Sequence, residues 1–327
     1  MKKLLLLVLC ALSLSTAFGQ TLQRTILSHN GVLTQYDASQ WSQAFSDAAV
    51  GDTIYFTPGT FSGSLTIDKP LTLIGPGVGL ADCFNTDLYA DCCTTGESAK
   101  LTGTIRVSFT DTESTATFSI EGLYFGGSFS QNTIVNNLTI RRCRISSIFS
   151  NSSSSDVKIS NLTIENCYIQ SLNCRSLVNP TIRNCYIYYI QAAADLGITF
   201  TNCVIDASSS LSGALNNGSI FQNSIICSPK SDGLYPDYCT YINCIYQSET
   251  TNSTFTNCWK SDTGNTMTAA QLSEAGYLGT DGTVVGPFGG SAPFTLKPSH
   301  PYIEQGNVEY DSTNKQIRVS MKVKQGE

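Results

Sequence analysis

Charge, histidine and long apolar runs are all scarce in this sequence. Only 13% of its 327 residues are charged, and 19 Lys and Arg face 25 Asp and Glu. That balance excludes the basic patches a phosphate backbone requires, and with them a nucleic-acid partner. The two histidines, His29 and His300, both fall outside the repeats described below, so an imidazole relay or metal centre has little to draw on. Past Leu12 no apolar stretch approaches the roughly 18 to 20 residues of a membrane-crossing helix. What is abundant is Ser, Thr, Asn and Gly, the composition of a turn-rich all-β chain.

The one apolar run is short and has charged and small-residue flanks. Lys2 and Lys3, then Leu4 to Leu12, then Ala17-Phe18-Gly19 form the three regions of a secretory signal, with cleavage expected near Gly19 and Gln20. The expectation is an exported, soluble protein of the periplasm, outer surface or extracellular space. Loss of Lys2 and Lys3 would move the formal net charge from −6 to −8. Cys10 is preceded by Leu9 rather than a small residue, which argues against a lipid anchor.

One pattern returns along the chain: apolar, any, Asn, Cys, any, apolar. Copies are Ile164 to Ile169, Ile182 to Ile187, Phe200 to Ile205, Phe221 to Ile226, Tyr241 to Tyr246 and Phe255 to Lys260, with degenerate copies at Ile120 to Phe125 and Ile140 to Ile145. Successive third positions are 14 to 24 residues apart, enough for one coil of short strands and too little for helix pairs or propeller blades. If the Asn turns a corner in the left-handed conformation, the apolar residue two before it and those one and three after it all face inward. The inward rows are then Ile120, Ile140, Ile164, Ile182, Phe200, Phe221, Tyr241, Phe255 and Leu123, Cys143, Cys167, Cys185, Cys203, Ser224, Cys244, Cys258. Asn166, Asn184, Asn202, Asn223, Asn243 and Asn257 are expected to stack as a ladder, each amide bonding its neighbours above and below.

This asparagine corner, with stacked aliphatic, aromatic and Cys rows, resembles the pectin-lyase-like superfamily of right-handed parallel β-helices, as does the opening Gly51 to Phe61 followed by Leu65 to Gly75. The resemblance covers roughly residues 30–300. It implies an all-β, right-handed parallel β-helix solenoid with an N-terminal capping helix and a C-terminal closing segment. The expected division is 1–19 signal peptide, 20–50 cap, 51–262 solenoid and 263–327 closing or attachment segment. Asp37 with Gln40 reads as a capping box opening a helix through Trp41, Phe45, Ala48 and Ala49. Residues 267–275 suit a short helix, and 316–324 a strand.

Thirteen Cys in an exported chain would ordinarily signal disulfides. Parallel coils, however, hold equivalent Cβ atoms about 4.8 Å apart, longer than the roughly 3.8 Å a disulfide prefers. The row is therefore read as buried thiols filling the core. Cys83, Cys92 and Cys93 lie instead in a turn-rich excursion, residues 81–98, where a disulfide from Cys83 to Cys92 or Cys93 would close a short loop. Asp82, Asp87 and Asp91 there lack calcium-loop spacing, and no metal or other cofactor is expected.

The resemblance brings in lyases, which use Arg or Lys bases with Ca²⁺, and hydrolases, which use clustered Asp with Gly-His-Gly. Neither set is complete here, and catalytic residues stay unassigned. Glu121, Arg141, Glu165, Arg183, Thr201 and Gln222, just before the corner, read as a charge ladder between coils. Two residues after the corner the outward row is Tyr124, Arg144, Tyr168, Tyr186, Val204, Ile225, Ile245, Trp259, where a solvated face would be polar. Either a long loop, the terminal tail or a partner chain covers this row, or Tyr124, Arg144, Tyr168 and Tyr186 form an exposed strip that stacks on the sugars of a polysaccharide or cell-surface glycan. Non-catalytic binding of a glycan or surface partner along this face is the leading expectation. Its rivals are a polysaccharide lyase or glycoside hydrolase with loop-borne residues, and a structural spacer or adhesin stalk.

Overall fold

The computed structural model describes residues 23–108, 117–131, 135–148, 159–174, 177–191, 197–206, 218–227, 238–247, 252–311 and 316–324, so the expected leader lies outside it. These residues form a parallel β-helix of about seven turns. The strand before each corner belongs to one sheet, running through Phe118–Glu121, Leu138–Arg141, Thr163–Glu165, Thr181–Arg183, Thr199–Thr201, Ile220–Gln222, Thr240–Ile242 and Thr254–Thr256. The strand after each corner belongs to a second sheet, from Tyr124–Gln131 to Trp259–Lys260. A third, small sheet joins Val135–Asn136, Ile159–Ser160 and Leu177–Val178.

The Asn corners are as expected. Asn166, Asn184, Asn202, Asn223, Asn243 and Asn257 all have φ between 49° and 54°, and Arg142 (54°) and Gly122 (68°) take the same corner in the two degenerate copies. Asn tolerates this left-handed turn where most side chains would strain. A second corner between the third and first sheets uses the same device, with Asn137, Asn161 and Asn179 at φ 56°, 54° and 47°.

Because the coils are in register, like stacks on like. Ile140 pairs with Ile120 and Ile164, and Phe200 with Ile182 and Phe221. The rings of Phe200, Phe221, Tyr241 and Phe255 form a continuous stack with centroids 5.3, 5.0 and 4.6 Å apart and planes within 11°. Beside it Cys143, Cys167, Cys185, Cys203 and Cys244 are buried free thiols, and Cys258 at the last coil is a half-buried one. Ser224 takes the same place without a sulfur, its hydroxyl donating to the Gln222 carbonyl at 2.8 Å and accepting from the Cys203 amide at 3.1 Å.

At the N-terminal end the cap differs from expectation. Strands β1 (Arg24–His29) and β2 (Val32–Asp37) form an antiparallel hairpin, and β1 also pairs antiparallel with β3 (Thr53–Phe56). The hairpin thus covers the first edge of the solenoid. Its turn is Asn30-Gly31, with φ 50° and 82°, the preferred residues for a two-residue hairpin loop. The expected capping box is not made: Asp37 precedes the 3₁₀ turn Ala38–Gln40 without a side-chain cap bond and pairs with Arg24 at 3.0 Å. The helix itself, α1 (Gln43–Asp47), is shorter than expected, and Ala49 is exposed. Trp41 and Phe45 do seal the core, packing edge-on to each other and against Phe61 and Phe56.

Candidate functional site

The aromatic face is built by the second sheet. Its register aligns Tyr124 with Arg144, Arg144 with Tyr168 and Tyr168 with Tyr186, so alternation aims all four side chains away from the thiol core. Arg144 lies over the rings of Tyr124 and Tyr168, 4.8 and 5.4 Å from their centroids. Tyr168 and Tyr186 stack with centroids 5.7 Å apart. So far this is the arrangement expected of the strip.

Its exposure is not. Tyr168 is 9% and Tyr186 8% exposed, because the excursion of residues 81–98 folds over them. A 3₁₀ turn (Leu80–Asp82), α2 (Thr86–Tyr89) and a second 3₁₀ turn (Ala90–Cys92) bring Phe84 onto Tyr168 at 4.1 Å, near-parallel, and onto Tyr186 at 4.8 Å. Tyr89, 1% exposed, meets Tyr186 edge-on. The Tyr186 hydroxyl donates to the Asp206 carboxylate. Burial and that carboxylate push the Tyr186 phenol well above its usual range, and burial raises Tyr168 too. The strip is therefore a second apolar core that continues through Val204, Ile225 and Ile245, and only Tyr124 and Arg144 of the four remain half-buried.

A second cover comes from the chain after the last coil. Helix α3 (Ala269–Glu274), opened by a capping box of Thr268 and Gln271, buries Leu272 in this core. The chain then runs back along the Asn corner, opposite to the direction of the coils. The Thr280 amide donates to Asn223 at 3.2 Å, and Asn184 Nδ2 donates to the carbonyls of Pro287 (3.1 Å) and Gly289 (2.7 Å). Asn166, with its amide nitrogen turned toward this strap, donates to the Ala292 and Pro293 carbonyls at 3.2 Å. Farther along, Arg142 donates to the Lys297 carbonyl at 2.9 Å, and the Ser299 amide donates to Glu121 at 2.7 Å. Phe288 and Phe294 meet Tyr89 from this side.

The strap corrects the expected ladder. Asn243 does donate to Asn223, at 3.4 Å, but Asn166, Asn184 and Asn223 also spend their amides on the strap. The Asn202 Nδ2 is buried beneath Gly289 and Gly290 without a partner. A Cβ on Gly289 would lie 1.8 Å from the Val284 carbonyl and 2.7 Å from that Nδ2, so only glycine fits this close approach.

The remaining polar candidates are engaged structurally. In the charge row Arg183 pairs with the 8% exposed Glu165 at 3.2 Å. His29 contacts Asp52 at 2.9 Å in the N-terminal cap, and His300, beside Glu121 and Arg142, has its pKa lowered chiefly by burial. Asp82 binds Lys100 (2.8 Å) and Ser98 (2.6 Å), while Asn85 caps α2 through the Asp87 amide (3.1 Å). Among the described residues no group of three or more His, Cys, Asp or Glu is placed to hold a metal ion, and no helix is long and apolar enough to cross a membrane. Comparison with protein-family models, curated proteins and solved structures finds no match, so what is established is the parallel β-solenoid with its strapped aromatic face.

Proposed function

We propose that the chain is an exported, non-catalytic β-helix, similar in its coil to the pectin-lyase-like superfamily, that serves as a rigid structural spacer. One observation carries this reading: two of the four side chains that would have met a glycan, Tyr168 and Tyr186, are covered by segments of the chain itself, with Phe84 stacked over both. Apolar surface of that size is kept for binding only when it stays accessible. A spacer needs the opposite, a stack stiffened on all faces, and about seven coils at roughly 4.8 Å each would hold two ends about 35 Å apart. The antiparallel hairpin of Tyr302–Asp311 and Gln316–Lys324, which follows the strap, is the segment suited to attachment.

The test has two arms. Removing residues 302–327 should leave the solenoid folded by circular dichroism but shift the protein from the cell envelope to the medium. Incubating the intact protein with a polysaccharide panel should give neither cleavage nor retention. Unchanged envelope location of the truncated chain, or cleavage of any polysaccharide, overturns the spacer reading.

A second reading is favoured by Tyr124 and Arg144, which stay half-buried at the edge of the covered row. A guanidinium stacked on a ring face can take a uronate carboxylate, so surface-glycan binding would be confined to this corner rather than spread over four coils. Retention by an acidic polysaccharide that is lost in Arg144→Gln would favour it.

A further inference from the structure

The excursion that covers the aromatic face carries three thiols of its own, apart from the core stack. Cys83 and Cys92 are half-buried and Cys93 is 5% exposed. The excursion doubles back on itself: Gly79 bridges to Thr94, Leu80 donates to the Thr94 carbonyl at 2.9 Å, and Thr94 donates to Val78 at 2.9 Å. Cys83 and Cys93 are thereby brought into one apolar cluster, Cys93 within it and Cys83 packed against its edge. Arg144 fixes the other side of Cys83. Its guanidinium is held between Tyr124 and Tyr168 and donates to the carbonyl of Asp82.

We propose that Cys83 and Cys93 are a thiol–disulfide redox pair that locks the excursion over the aromatic face, Cys83 attacking and Cys93 resolving. The assignment of roles follows from exposure and charge. Cys83 is the more accessible of the two. The hydrogen bond from Cys93, aided by the Asn85 backbone and the Arg144 cation, outweighs burial and brings the Cys83 thiol down to about 7. Cys93, hydrogen-bonded to Cys83 and buried, keeps its proton.

The oxidant is an organic disulfide. The Cys83 thiolate attacks one of its sulfurs, forming a mixed disulfide and expelling a thiolate that takes a proton from water. Cys93 then loses its proton and attacks the Cys83 sulfur of the mixed disulfide, expelling the second thiolate. Two protein thiols give up two electrons and two protons, and one organic disulfide becomes two thiols. Because Phe84 follows Cys83 directly and stacks on Tyr168 at 4.1 Å, the new bond pins that ring in its seat. The Cys143 to Cys203 row differs in that its thiols are walled off by the coils.

The reduced, folded protein is treated with oxidised glutathione, quenched with N-ethylmaleimide and mapped by mass spectrometry. The expected product links Cys83 to Cys93 with the core row still reduced, and cleavage by protease within residues 81–98 should slow by about tenfold or more. In Cys93→Ser a glutathione adduct should persist on Cys83, and in Cys83→Ser Cys93 should stay unmodified. A Cys83–Cys92 link, an unreacted Cys83 in the wild type, or proteolysis as fast after oxidation as before overturns the proposal. The wild-type map and digestion decide the matter even if a serine variant folds poorly.

Discussion

A single Asn in the corner does two jobs that different substitutions can separate. Asn184 sits at φ 50° and is 4% exposed, and its amide holds the strap through Pro287 and Gly289. Glycine keeps the backbone conformation but removes both bonds, leaving two strap carbonyls unpaired. Alanine removes the bonds and adds the left-handed penalty of a Cβ. Asn184→Gly should therefore cost about 1–3 kcal/mol, and Asn184→Ala about 1–2 kcal/mol more, measured by urea unfolding. Equal losses would mean that backbone strain plays no part in the choice of Asn. A neutral glycine variant would mean that the strap bonds contribute nothing. The repeated Asn was legible in the sequence because its conformational tolerance is a local property, readable from one residue and its spacing. Where its amide goes was not, since Asn184 meets Pro287 and Gly289 across more than a hundred residues with no periodicity to announce the contact.

Among the elements, the coils were legible in detail, whereas for their covers the aromatic row pointed only to a loop, the tail or a partner chain without saying which residues lie over it. A coil repeats, so inward and outward rows emerge by aligning copies, and the outward aromatic row stood out against the polar face a solvated sheet would show. The excursion and the strap occur once each. The aromatics among their turn residues, Phe84, Tyr89, Phe288 and Phe294, carry no spacing that marks them as a lid. One signal was available and missed: Asn30-Gly31 between two short β-rich runs is a hairpin turn, and it marks the antiparallel cap at β1 and β2. The excursion's hold on the face is testable at its central ring. Phe84 contacts Tyr168, Tyr186, Tyr89 and Phe294, so Phe84→Ala should lower stability by about 2–4 kcal/mol. It should also open Tyr168 to nitration by tetranitromethane. A loss under about 0.5 kcal/mol with Tyr168 still protected would show that the strap alone seals the row.

The whole molecule is a stack closed differently at its two ends, and its stability should be graded accordingly. In a solenoid each coil is stabilised by its neighbours, so a coil with one neighbour opens more easily than a coil with two. At the N-terminal end the hairpin of β1 and β2 supplies the missing neighbour for the first sheet, and Trp41, Phe45, Phe56 and Phe61 pack together beside it. At the other end Thr254–Thr256 and Trp259–Lys260 are the outermost strands of their sheets, and Phe255 and Cys258 are the half-buried ends of the ring and thiol rows. Native-state hydrogen exchange should therefore find the Thr254 and Trp259 amides, bonded to Cys239 and Cys244, exchanging first, and the Tyr168 and Tyr186 amides, bonded to Cys143 and Cys167, exchanging last. The thiols supply an independent reading of the same gradient. Cys258, whose pKa the hydrogen bond from Cys244 brings down to about 7, should alkylate in the folded protein, whereas Cys167, Cys185 and Cys203, buried completely, should wait for unfolding and then all react without reductant. Uniform protection from coil to coil, or labelling of Cys185 as fast as Cys258, would mean that the stack opens as one unit and that its open end is no weaker than its middle.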